Sequence, residues 1–115
     1  MTPDEFKFAN SLEGKFLHRW RDAGGIEPVR QHHIVPGRKW AWDFAFLDRR
    51  IAIEIQGGTW TGGRHTRGKG YESDCRKGNA AILQRWRILH LTTDMVMDND
   101  YIIDLARWIN RQGPA

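Results

Sequence analysis

Residues 40–56 read Trp40-Ala41-Trp42-Asp43-Phe44-Ala45-Phe46-Leu47-Asp48-Arg49-Arg50-Ile51-Ala52-Ile53-Glu54-Ile55-Gln56, and their alternation decides the fold. Side chains on a strand point to opposite faces in turn, so a period of two marks extended chain. Trp40, Trp42, Phe44 and Phe46 then share one face, and Ala41, Asp43, Ala45 and Leu47 share the other. After a polar turn at Asp48-Arg49-Arg50, Ile51, Ile53 and Ile55 share a face opposite Ala52, Glu54 and Gln56. The two runs predict a hairpin. Pairing Leu47 with Ala52 sets Ala45 against Glu54 and Asp43 against Gln56. Asp43, Glu54 and Gln56 gather on the small-residue side, with the two acids as diagonal neighbours. A slip of one residue would scramble both apolar faces, so the hydrophobic pattern selects the facing.

Working outward, residues 4–23 predict one helix, with Phe6, Phe8, Leu12, Phe16, Leu17 and Trp20 mostly three or four apart and Gly24-Gly25 as its stop. Pro28 opens an extended segment from Val29 to Val35, which Pro36-Gly37 ends. Beyond the hairpin, glycines 57, 58, 62, 63, 68 and 70 frame a polar loop of about 13 residues, longer than most connections in compact domains. A second helix is expected over residues 71–86, a fourth strand over 87–91, and a last helix over 100–111. A strand reached through a helix is expected to run parallel to its neighbour. The order is αβββαβα: an α/β chain with a central mixed four-stranded sheet flanked by helices.

The 115 residues suit one domain, residues 1–115, with no room for a second core. Apolar residues make up 40% and aromatics 11%, a composition that packs rather than stays disordered. No apolar run approaches the roughly 20 residues that cross a bilayer, and the opening MTPDEFKFAN lacks the features of a secretion signal. The single cysteine, Cys75, excludes an internal disulfide and fits a reducing cytosol. An intracellular, cytoplasmic protein without membrane partners is expected. The net charge is +4 and the pI about 9.6, with Arg64, His65, Arg67, Lys69, Arg76 and Lys77 in one stretch. That balance suits a polyanionic partner.

Two carboxylates on one face repel each other, and burial adds to the cost. A hard divalent ion such as Mg²⁺ relieves this by taking their oxygens as ligands while keeping several waters. One such water can attack a phosphodiester, with the ion offsetting charge on the phosphate. The competing reading is that Asp43 and Glu54 are solvated hairpin residues. Both strands are almost wholly apolar except at these positions, which favours a site.

This arrangement resembles the PD-(D/E)XK nuclease superfamily, whose αβββαβα core carries an Asp on its second strand and (D/E)-x-(K/other) on its third. The matching residues are Asp43 in Trp42-Asp43-Phe44, without a preceding Pro, and Glu54-Ile55-Gln56. The stretch IEIQGG, the loop with His65, and YESDCRKGNAAILQRWRILHLTTDMV are similar to small phage and bacterial members near the very-short-patch-repair and Holliday-junction-resolvase-like nucleases. The likeness spans about residues 5–110. It implies a restriction-endonuclease-like fold and a Mg²⁺- or Mn²⁺-dependent DNA endonuclease that hydrolyses phosphodiesters with an ion-activated water. It also implies Asp43 and Glu54 as metal ligands and the Ile55 carbonyl as a third. Gln56 stands where most members carry Lys, and an amide is no strong base. Lys77 either reaches the site from the second helix or faces solvent. Glu13 stands on the first helix, where resolvase-like members place a metal-associated glutamate; Gln31 is a weaker candidate.

In the loop, His65 either donates to the leaving oxygen or contacts the scissile phosphate, as a His does in repair-nuclease relatives, or is simply exposed. Arg64, Arg67, Lys69 and Arg76 are phosphate partners by charge. Trp60 stacks on a base or folds back as a lid on the core. His32-His33 point to opposite faces of a strand and read as structural. Two other functions compete: a DNA-binding domain of the same fold with weak or no catalysis, which Gln56 keeps open, and a hydrolase or interaction domain of another kind. No P-loop, nucleophile elbow, HExxH or paired CxxC supports the latter. By analogy, a domain this small that must cut both strands works as a homodimer.

Overall fold

The computed structural model describes residues 1–56 and 69–115. The hairpin forms from β2 (Trp42–Phe46) and β3 (Ile51–Gln56), which run antiparallel. Its ladder closes tighter than the alternation suggests: Phe46 pairs with Ile51, Ala45 with Ala52 and Phe44 with Ile53. The expected pairs Leu47–Ala52, Ala45–Glu54 and Asp43–Gln56 are therefore corrected by two residues. The cause is local. Leu47–Arg49 winds into a 3-10 turn, and Arg50 takes the left-handed conformation with φ 51°. That turn removes Leu47 from the ladder and leaves it exposed. An even shift keeps every side chain on its face. One further step along the same ladder sets Asp43 straight across from Glu54, not diagonal to it.

β1 (Val29–His32) is shorter than the expected 29–35 and pairs antiparallel with β2, Arg30 with Phe44 and His32 with Trp42. Between those pairs Gln31 adopts φ 47°, across from Asp43, and the pleat breaks there. β4 (Arg87–Thr92) lies parallel to β3, from Ile51–Arg87 to Gln56–Thr92, giving the sheet order β1-β2-β3-β4. The mixed four-stranded sheet flanked by helices is the expected architecture.

The helices differ more. The span 4–23 is two helices, α1 (Pro3–Ala9) and α2 (Leu12–Asp22). Ser11 accepts a hydrogen bond from the Gly14 N–H and starts α2 afresh, a capping role that Ser performs better than helix continuation. Phe6, counted in the apolar stripe, is consequently exposed. α3 (Lys69–Leu83) ends before the expected residue 86, because Arg85 turns left-handed at φ 67° and Trp86 is buried on the way into β4. α4 (Thr93–Met97), capped by Thr92, was not foreseen; α5 (Asn99–Arg111) follows it.

Two cores flank the sheet. Phe16, Trp20, Phe44, Phe46, Ile51, Ile53 and Ile109 belong to the larger, on the α2 and α5 side. Phe16 packs on Phe44 with centroids 4.9 Å apart and on Trp20 at 5.4 Å. Each such pair adds about 0.5–1.5 kcal/mol beyond its buried area and holds α2 in place on the sheet. The smaller core joins Ala45, Ala52, Ala81, Trp42 and Trp86, with Trp40 against it. Alanines on both strands and on α3 let that helix approach closely. Trp40 and Trp42 thus lie opposite to their expected side, away from Phe44 and Phe46, because regular alternation starts only past the break at Gln31 and Asp43.

Gly14 fixes how α1 meets α2. A Cβ there would stand 2.0 Å from the Phe8 carbonyl oxygen. Gly14→Ala should therefore cost roughly 1–3 kcal/mol by urea unfolding, whereas an unchanged midpoint would contradict this packing.

Candidate active site

Along the side of the sheet that faces α3, β3 presents Ala52, Glu54 and Gln56, and β4 presents Ile88, His90 and Thr92. Ala52 and Ile88 belong to the smaller core with Ala81. Glu54, Gln56 and His90 lie one and two pleats further on, beside Asp74, Lys77 and Gly78 of α3. Those α3 residues are spaced three and four apart and share one helical face. The result is a cleft of about 190 Å³ lined by these six residues with Trp42 and Ile55.

Asp43 is the one buried charged residue among those described, 9% exposed. Its Oδ2 accepts the Ile55 N–H at 2.7 Å, and its Oδ1 accepts the Gln31 amide at 3.2 Å. The same Gln31 Nε2 donates to Glu13 Oε2 at 3.3 Å, which draws the α2 carboxyl to the group. Glu54 Oε2 meets the Lys77 ammonium at 3.0 Å. That ammonium also donates to the Ala41 carbonyl at 2.8 Å and sits 4.6 Å from the Trp42 ring centroid. Lys77 thus points inward from α3.

The carboxyls strain against one another. Burial raises the Glu54 pKa above its ordinary value; Lys77 pulls it down, and Asp43 pushes it up. Glu13 is raised by burial first and then by the charge of Asp43, with Gln31 and Arg30 opposing. Among the described residues, no group of three or more His, Cys, Asp and Glu side chains is assembled to hold an ion by itself. The adjacent pair Asp43 and Glu54 nonetheless suits Mg²⁺, which takes one or two carboxylates and completes its shell with water and substrate oxygens. The donor set fits.

The other expected residues fall as follows. Gln56 turns its amide to His90, with Nε2 and Nδ1 2.9 Å apart. Arg76 is exposed on α3 and paired with Glu72 at 3.4 Å. Trp60, Arg64, His65 and Arg67 lie outside the described residues, as does the Lys69 side chain. His32 is half-buried and His33 exposed. Asp74, Gly78 and His90 were missed. Their signal was present, since extending the alternation into Ile88, His90 and Thr92 points a histidine to the side of Glu54. A larger hollow of about 400 Å³ lies between α2 and α5, lined by His18, Arg19 and Asp22 among others. There His18 is paired with Asp22 and Arg19 with Asn99, and no carboxyls converge.

No protein-family model matches the chain, and no curated protein matches it. Among solved structures it is similar to the catalytic domain of the homing endonuclease I-Bth0305I. The two chains share that fold. The TM-score is 0.64 at 20% identity, and the alignment covers 88% of this chain and 96% of that domain.

Two outcomes follow from the raised carboxyls. The folded chain holds protons at Glu13 and Glu54 more tightly than the unfolded chain does at about the ordinary value of 4.5. Their contribution to stability is therefore full below 4.5 and lost as pH rises through the raised folded values. In EDTA at neutral pH, Glu13→Gln should melt higher than the parent, with the gap closing below 4.5; a variant that melts lower throughout would refute the repulsion. Lys77→Met removes the contact that lowers Glu54, so carboxyl NMR titration should find the Glu54 pKa higher still, and an unchanged value would contradict the ion pair.

Proposed function

We propose that this protein is a metal-dependent DNA endonuclease of the PD-(D/E)XK type. The observation that carries the reading is that the β2–β3 register sets Asp43 across from Glu54 on adjacent strands, with Lys77 bonded to Glu54. The fold shared with a homing endonuclease catalytic domain supports it, and so does the basic stretch around residues 64–77.

Asp43, Glu54 and the Ile55 carbonyl would hold Mg²⁺ or Mn²⁺, with Glu13 approaching through Gln31. When bound, such an ion lowers the pKa of a coordinated water and offsets charge on the phosphate. The chain's own residues do the rest. The Ile55 N–H and Gln31 hold Asp43 in one orientation with a lone pair free on each oxygen. Lys77 supplies the cation that the Gln56 position lacks, placed beside Glu54. The Trp42 ring covers the ammonium from one side and keeps water off that flank. Arg64, Arg67, Lys69 and Arg76 would follow the DNA backbone, with His65 and Trp60 as further contacts.

The chain is read as one such domain, acting inside the cell, where the lone exposed Cys75 stays reduced; among the described residues no helix is long and apolar enough to cross a membrane. Pairing into a homodimer would provide for cleavage of both strands. The alternative is a DNA-binding domain of the same fold that has lost catalysis, which Gln56 favours.

The test uses labelled linear, nicked, forked and four-way DNA with Mg²⁺, Mn²⁺ or EDTA. The parent should cut with either metal and stop in EDTA. Glu54→Ala should lower the cleavage rate by about 100-fold or more while the fold is kept and DNA is still bound. Cleavage by this variant at the parent's rate would remove the assignment, and salt-dependent binding without any cleavage by the parent would favour the alternative.

A further inference from the structure

His90 stands beside Glu54 in the parallel ladder, one strand further from Asp43, on the same side as Ile88. It is exposed, on the edge strand of the sheet. The Gln56 amide nitrogen lies 2.9 Å from His90 Nδ1. In this orientation the amide nitrogen donates and Nδ1 accepts, which assigns the proton of a neutral ring to Nε2. Gln56 thereby fixes the tautomer. A ring protonated on Nε2 offers a donor rather than a lone pair, which suits an anionic oxygen and not a metal ion.

Among the described residues that line the cleft, Lys77 is engaged by Glu54 and Asp74 carries negative charge. Gly78 lies across the cleft in mid-helix, where glycine costs about 1 kcal/mol relative to alanine. A Cβ there would meet nothing within 4 Å, so packing does not require it.

We propose that His90 is a DNA-backbone contact of this cleft, its Nε2–H donating to a phosphate oxygen of the strand held at Asp43 and Glu54, with Gln56 as the positioning residue that sets the donor. This deepens the endonuclease reading and rests on it for the identity of the bound strand. It also gives Gln56 a role that an amide performs better than the lysine expected at its position.

The experiment compares the parent with His90→Ala, Gln56→Leu and the double variant. Imidazole ¹⁵N spectra of the free protein should show the Nε2–H tautomer in the parent and a mixture in Gln56→Leu. Binding to labelled linear and four-way DNA, followed by anisotropy in EDTA, should weaken roughly fivefold to tenfold in each single variant. The double variant should bind no more weakly than His90→Ala, because Gln56 acts through the ring. An Nδ1–H tautomer in the parent, parent-like binding by His90→Ala, or additive losses would overturn the proposal. Cleavage with Mg²⁺ is measured alongside. A parent that cuts while His90→Ala binds normally removes this contact alone; a parent that never cuts, with His90→Ala weakened, removes the nuclease reading and leaves the contact standing.

Discussion

The Asp43 carboxylate accepts one hydrogen bond from the Ile55 backbone on β3 and another from the Gln31 amide on β1, and the acidic end of the sheet is arranged around those two bonds. A buried carboxylate without partners would cost several kcal/mol or be neutralised. Here each oxygen has a donor, and every buried side-chain polar atom among the described residues is satisfied. The bonds also join three strands at one point. Gln31 reaches Asp43 from a left-handed conformation, which non-glycine residues adopt at a cost of the order of 1–3 kcal/mol. Strain, burial and like charge coincide here. A chain selected for stability alone would have little reason to keep them together.

What offsets that cost is the asymmetry of the sheet. The α2 and α5 side is thick with aromatic and branched residues and contains most of the large buried side chains. The α3 side is thin, built on alanines at 45, 52 and 81. Large residues at those positions would lift α3 off the strands and carry Lys77 and Asp74 away with it. The thin core is therefore what brings a cation and a further acid from a helix to strand carboxyls. The thick core holds the strands rigid while this happens, and through Phe16 and Trp20 it also sets the helix that bears Glu13.

The legibility of the sequence follows from what each pattern constrains. Alternation in residues 51–56 showed Glu54 and Gln56 opposite three isoleucines, because a half-apolar strand admits only one facing. It was blind to the register, since a shift of two preserves facing and only the turn at Leu47–Arg49 distinguishes the two. The apolar stripe over 4–23 runs through the break at Ser11, so periodicity alone saw one helix, although Ser is a favoured N-cap residue in its own right. The aromatic run from Trp40 to Phe46 gave no sign that Trp40 and Trp42 change sides, because the cause lies on another strand, at Gln31. Contacts such as Gln56 with His90 depend on which strands become neighbours, and short motifs do not encode that.

Gln56 shares the face of Glu54 but brings no charge to it. A lysine two residues after Glu54 would rise from the same strand and share its face. Instead the ammonium comes from Lys77, one helical turn before Ala81, whose burial against the sheet sets the height of α3. The cation then depends on the docking of a helix and not on the pleat of a strand. Any displacement of α3 changes the Glu54–Lys77 distance, while Asp43, bonded to β3 and β1, stays in place. Charge balance at the two carboxyls is thereby separated: one is governed by the sheet and the other by the helix that closes over it.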